Sequence, residues 1–264
     1  MKKILINRLF HGLGDWIMTA TAIRTINLQR PDVEVHFGCN NMPSWIMNYM
    51  RNTNIKACAA INPDFKDYDG YIEHLVYPAP ATLNCHLIEG MIMTLNRYLD
   101  LGLVYDASVY ATYQAPRAKM LLPESYILMP AVGANNGLGD TSKEWGYQNF
   151  STLARLLETS GHSVVQTGRK GDGSLLYANQ VHYFASTAHF NTLVTRSSLV
   201  VCLENGLNHY AGHHGAAAMT LYMPNGTCKP YHTAYPKQIP MATEFMTPEY
   251  VFERVVEFMK SQEK

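Results

Sequence analysis

Three short stretches hold residue types suited to group transfer, and each follows an apolar run that reads as a β-strand. The first is His11-Gly12-Leu13-Gly14-Asp15, after Ile4-Leu5-Ile6. A carboxylate at Asp15 can take a proton from a hydroxyl as a general base; an Asp there can equally cap the following helix. The second is the polar Gly/Asn loop from Gly133 to Lys143, running into Glu144-Trp145. Lys143 reads either as a cation facing a phosphate or diphosphate, or as a solvated surface lysine. The third is Glu204-Asn205-Gly206-Leu207-Asn208-His209, after the apolar run Leu199–Leu203. A carboxylate ending such a strand needs a hydrogen bond or a ligand, so Glu204 reads as binding or as capping. The residues after it open a helix, whose free N–H groups and partial positive charge suit phosphate.

Other candidates are weaker. His209 and His213 are four residues apart and share a helix face, with His214 adjacent. Such a pair can ligate a metal, but no carboxylate completes an HExxH pattern, so buried or ligand-contacting histidines are expected. Tyr222, Tyr231 and Tyr235 read as packing residues. Gly12 and Gly14 supply two glycines of a dinucleotide fingerprint, but the third position is Ile17, which argues against an NAD-type oxidoreductase.

The elements that must position these residues follow from periodicity. Residues 4–6 are a strand, and helical spacing begins at Ile17. Arg30-Pro31-Asp32 ends that helix, and Val33–Phe37 alternates as a strand. This is one βαβ unit. Met42–Met50 and Cys85–Leu101 read as helices, the second closed near Gly102; residues 62–84 are turn-rich, and 106–117 resembles a linker. A second series then begins. Strands are expected at Tyr126–Met129, Ser163–Val165, Leu199–Leu203 and Met219–Met223. Between them fall a helix capped by Asn149 or Ser151 and ended by Gly161, a helix over Phe190–Arg196, and one reaching His214. A final amphipathic helix covers Pro248–Lys260. Alternating strands and helices imply parallel sheets covered on both faces. The series starts twice, so the expectation is an α/β chain of two Rossmann-like lobes. Ligands of such sheets bind beyond the carboxyl ends of the strands, where all three stretches lie.

Composition narrows the class. Of 264 residues, 47% are hydrophobic, which excludes a disordered chain. Lys+Arg and Asp+Glu both number 21, so no bulk field draws the chain to nucleic acid or membrane, although a local basic groove stays open. The five cysteines are odd in number and lack CxxC spacing, which argues against a disulfide framework or structural zinc and for a reducing compartment. No stretch approaches the ~18 apolar residues of a membrane span, and the N-terminal apolar run is too short for a signal peptide. A soluble, cytoplasmic protein is expected.

The ordered combination of segments resembles glycosyltransferase family 9, the ADP-heptose:lipopolysaccharide heptosyltransferases. It rests on Gly12–Thr19 with Ala22-Ile23-Arg24 and Arg30-Pro31-Asp32; on Lys143-Glu144-Trp145 with Phe150, Leu153-Ala154 and Leu157; on Gly161, Val164-Val165 and Gly168; and on Leu199-Val200-Val201, Glu204–His209 and Leu221-Tyr222-Met223-Pro224. The resemblance implies a GT-B fold with an acceptor-side lobe at 1–120 and a nucleotide-sugar lobe at 121–246. The active site would lie in the cleft, and the closing helix, 247–264, would return toward the N-terminal lobe. It implies inverting transfer from a nucleoside-diphosphate sugar, heptose-like by resemblance, with no metal or other cofactor. Asp15 would be the catalytic base and Lys143 would neutralise the leaving diphosphate. Gly14, Ser142, Glu204, Asn205, Gly206, Leu207, Asn208 and His209 would contact the donor. The chain departs from the family at Glu204, usually Asp, at Asn205, usually Thr or Ser, and at Gly146, usually Pro. It is also shorter, mostly in the acceptor lobe. The expected acceptor is a hydroxyl of lipopolysaccharide or another glycan, with a hydroxymethylated base in DNA as the alternative. A non-catalytic nucleotide-sugar binder would lack the base that Asp15 offers.

Overall fold

In the computed structural model, which describes residues 1–8, 12–40, 42–78, 82–130, 145–168, 177–183, 186–224, 226, 228–244 and 246–262, the strands form two parallel sheets. The first series is β1 (Lys2–Ile6), α1 (Leu13–Gln29), β2 (Val33–Gly38), α2 (Ser44–Arg51), β3 (Cys58–Ala60), β4 (Gly70–Ile72) and α3 (Leu87–Leu99). Its sheet order is β3-β2-β1-β4. The second series is β5 (Ile127–Pro130), α4 (Tyr147–Thr159), β6 (Val164–Gly168), β7 (Gln180–Tyr183), α5 (Thr187–Arg196), β8 (Leu199–Leu203), α6 (Gly206–His213), β9 (Ala218–Leu221), β10 (Gln238–Met241) and α7 (Pro248–Gln262). Its order is β10-β9-β8-β5-β6-β7. Counted from β5, that is the Rossmann order, in which the strand order reverses between the first and fourth strands and leaves a crevice at their carboxyl ends. The first sheet has the same reversal between β1 and β4.

Contacts divide the chain into two units, Met1–Ala115 with Tyr231–Thr233, and Pro116–Pro230 with Ala234–Lys264. The junction falls within the stretch read as a linker, just ahead of residue 120. In the first unit Ile4, Leu5 and Ile6 are fully buried. Helix α1 packs on α2, α3 and β2 and is buried over most of its circumference. Its threonines fit there because their hydroxyls are satisfied locally. Thr19 donates to the Asp15 carbonyl at 2.8 Å and Thr25 to that of Thr21 at 3.1 Å. Thr21 in turn accepts the Ala111 N–H at 2.9 Å. In the second unit α7 packs on α4, and its Val251 and Val255 are fully buried in the core with Leu153, Leu157 and Met219.

Several elements differ from those expected. Strand β4 lies inside the turn-rich stretch; Gly70-Tyr71-Ile72 is extended because it pairs with Ile4–Ile6. Strands β7 and β10 have weak local signals. Pro240 is tolerated because β10 is an edge strand. Helix α4 starts at Tyr147, behind Gly146 with φ of +85°, rather than at a cap from Asn149 or Ser151. The Asn149 amide instead donates to the Trp145 carbonyl at 2.6 Å, and Ser151 is buried within the helix. Helix α3 ends at Asp100, left-handed at φ of +49°. No helix among the described residues is long and apolar enough to cross a membrane, and all five cysteines are free.

Candidate functional site

The first unit gathers charge at the β1/β4 reversal. Asp15 lies in the first turn of α1, and the helix has no side-chain cap; its N-cap position is Gly12. The Asp15 carboxylate is engaged by Arg8, whose Nη2 pairs with Oδ1. The Arg8 side chain is 3% exposed and that of Asp15 23%, so a buried cation anchors a carboxylate that still reaches solvent. The other guanidinium nitrogen of Arg8 donates to the Leu75 carbonyl, and the group lies 5.8 Å from the Tyr77 ring centroid. The strand exits are tied together: Asn7 N–H donates to Ile72 at 2.9 Å, and Leu75 N–H to Asn7 at 2.8 Å. His74 is held below its usual titration range by burial and by Arg8, with Asp15 opposing. A Cβ on Gly12 would lie 2.7 Å from Asp15 Oδ2, so the bare glycine leaves that oxygen room. The neighbouring Gly14 is buried in α1. The result is a carboxylate fixed by one oxygen, with the other placed to accept a proton at the helix's positive end.

The second unit presents the start of α6 beyond β8. Glu204 is buried, 6% exposed, with Oε1 3.6 Å from His209 Nε2. The helix cap is Asn205, whose Oδ1 accepts the Leu207 N–H at 2.9 Å. That N–H is therefore occupied, and the first-turn N–H groups of Gly206 and Asn208 remain as the donors for an anion. The Asn208 side chain is fully buried. Its Oδ1 accepts from Thr220 at 2.7 Å and also from Gln238, so it pins α6 to β9 and β10. His209 Nδ1 meets the Tyr235 hydroxyl at 2.6 Å. If that hydroxyl donates, Nε2 holds the imidazole proton and directs it toward Glu204. A Cβ on Gly212 would sit 2.3 Å from the Tyr235 ring; the bare glycine lets the ring lie against the helix. Beside Glu204 is a small recess lined by Leu221, Tyr222, Met223, Gly226 and Cys228, at the carboxyl ends of β8 and β9.

Among the described residues His209, His213 and His214 do not join in a metal cluster. His209 and His213 both stand edge-on to Tyr235, with centroids 5.9 and 5.2 Å away. His214 stacks on Tyr210 at 4.0 Å, and burial pushes its pKa down to about 4. Among the described residues these three supply no set of ligand atoms close enough to share an ion. Ser142 and Lys143 lie outside the described residues. The sequence does not single out Arg8, His74 or Tyr77 around Asp15, nor the hydroxyl of Tyr235, whose ring reads as packing. Arg8 had one signal, a charged residue two positions after a buried strand. The others meet their partners only through the fold.

No protein-family model matches the sequence, and no curated protein does. Solved structures do match. The Escherichia coli ADP-heptose lps heptosyltransferase II is 15% identical, with a TM-score of 0.72 and all of both chains covered. The glycosyl transferase family 9 protein from Veillonella parvula is 14% identical, with a TM-score of 0.67, covering 96% of this chain and 90% of that one. The iron-containing dodecameric glycosyltransferase TibC from enterotoxigenic E. coli is 12% identical, with a TM-score of 0.64, covering 94% of this chain and 64% of that one. The chain has the GT-B fold. At these identities the likeness is one of fold, and it agrees with the two Rossmann-like series expected from the sequence.

Proposed function

We propose that the protein is an inverting glycosyltransferase that moves a sugar, heptose-like, from a nucleoside diphosphate to an acceptor hydroxyl of lipopolysaccharide or another glycan. The observation that supports this most is the Asp15 carboxylate at a strand-end crevice, anchored on Arg8 through one oxygen. In the proposed step the acceptor oxygen attacks the anomeric carbon while its proton passes to Asp15. The bond from that carbon to the diphosphate breaks, and the nucleoside diphosphate leaves with the electron pair. The second unit holds the donor: the N–H groups of Gly206 and Asn208 face phosphate oxygens, and His209, oriented by Tyr235, adds a polar contact. Lys143 neutralises the leaving group, with Ser142 beside it. No metal is assigned to the step, although one structural relative is described as iron-containing. The free cysteines suit a reducing cytoplasm.

The test pairs donor binding with turnover. Asp15→Asn keeps the side-chain size but removes the proton acceptor, so turnover should fall about 10²-fold or more. Calorimetric affinity for ADP should stay unchanged. Normal transfer by the variant would remove Asp15 from the mechanism. Absence of binding to ADP, other nucleoside diphosphates and their sugars would remove the glycosyltransferase reading. Running lipopolysaccharide core and hydroxymethylated DNA as parallel acceptors decides between glycan and nucleic acid.

A further inference from the structure

Away from the strand-end residues, on the first sheet itself, three metal-ligating side chains of different chemistry share one face. Glu34 and His36 are two residues apart on β2, so they point the same way. His36 pairs in parallel register with Cys58 on β3, which brings the thiol alongside the imidazole. One ligand atom from each of the three lies within 4.8 Å of the other two. His36 Nε2 and Glu34 Oε1 are 2.6 Å apart. The Tyr68 hydroxyl stands 3.4 Å from His36 Nδ1, and its ring packs edge-on at 5.4 Å. That contact at Nδ1 orients the ring so that Nε2 faces the carboxylate, as a hydrogen bond to the other ring nitrogen does for a metal-bound histidine. Glu34 and His36 are half-buried and Cys58 is exposed, so an ion can enter directly from solvent.

We propose that Glu34, His36 and Cys58 form a binding site for a zinc-like divalent transition metal ion. The donor set of carboxylate, imidazole and thiolate selects borderline-soft ions over Mg²⁺ and Ca²⁺. Three protein ligands leave the fourth tetrahedral position to water. On binding, the ion takes His36 Nε2, whose proton moves to Nδ1 on the side of the Tyr68 hydroxyl, and the Cys58 thiol releases its proton to solvent. With metal–ligand bonds of about 2.0 Å, tetrahedral oxygen and nitrogen ligands stand about 3.3 Å apart, so the Glu34 carboxylate opens by under an ångström. Its side chain is 39% exposed and free to do so. An ion held here links β2 to β3, the short edge strand of its sheet, and stabilises only the folded chain.

The experiment uses chelator-stripped full-length protein titrated with ZnCl₂ by calorimetry, and with Co²⁺ by absorption. One equivalent of Zn²⁺ should bind and raise the melting temperature. Co²⁺ should give a thiolate charge-transfer band. Cys58→Ser should abolish that band, His36→Ala should weaken affinity at least 10-fold, and Cys85→Ser should change neither. Circular dichroism confirms that each variant is folded. Failure to take up a stoichiometric ion, or uptake that Cys58→Ser and His36→Ala both leave intact, overturns the site.

Discussion

Arg8 carries two duties with one planar group, bonding the Leu75 carbonyl and the Asp15 carboxylate. A lysine in its place offers a compact ammonium that cannot reproduce this fork. Arg8→Lys should therefore leave donor affinity unchanged and lower kcat about 10- to 100-fold, the cost of a base held loosely. Steady-state kinetics separate the two; an unchanged kcat would make Arg8 a packing residue. His214 gives a second prediction at this scale. An unperturbed imidazole titrates near 6.5, whereas burial pushes that of His214 down to about 4. Between those values the unfolded chain binds a proton that the folded chain refuses. The His214 contribution to stability is thus complete above pH 6.5 and is lost as pH drops toward 4, by up to about 3 kcal/mol. His214→Phe keeps a ring over Tyr210 but cannot titrate. Its urea midpoint should change less between pH 7 and pH 4.5 than that of the parent.

Helix α6 joins the second unit's core to its candidate ligand surface. Asn208 ties it to β9 and β10, Asn205 caps it, and Gly212 admits the ring of Tyr235. Gly212→Ala places a methyl group where that ring lies, so helix or ring must shift, at about 1–3 kcal/mol. Because the Tyr235 hydroxyl orients His209, the same variant should lower both the melting temperature and ADP affinity. Tyr235→Phe, which keeps the ring and removes only the hydroxyl, should weaken ADP binding with a smaller loss of stability. Thermal melts and calorimetry on both variants check this; ADP affinity unchanged from the parent in both would show that Tyr235 serves packing alone.

For the whole molecule, the proposed ion belongs to folding and the proposed transfer belongs to carboxylate and N–H groups, so the two should separate on chelation. Protein loaded with Zn²⁺ and then stripped should melt at a lower temperature yet keep its turnover. Loss of turnover restored by added metal would bring the ion into the reaction. The closing helix bears on the architecture in a different way. Val255 is fully buried in the second unit's core, and Val255→Ala should destabilise the protein by about 1–3 kcal/mol in a denaturant titration.

The sequence by itself determined the strand–loop–helix alternation, and with it the parallel character of both sheets and their central strands, because strand and helix periods and turn residues act between near neighbours. It placed Asp15 and the Glu204–His209 segment at strand ends for the same reason. The tertiary structure decided what those residues touch. Glu204 directly follows strand β8, but the cap is Asn205, and Leu207 gives its N–H to that cap. Asn208 faces Thr220 and Gln238 across the core. Arg8 reaches Leu75 from 67 residues away, and Tyr235 reaches His209 from 26. Strand β4 exists only because β1 offers it a hydrogen-bonding edge, and β10 tolerates its proline only because it has one neighbour. Each of these outcomes depends on which distant groups the fold brings within bonding distance, and the pattern of neighbouring residues does not encode that proximity.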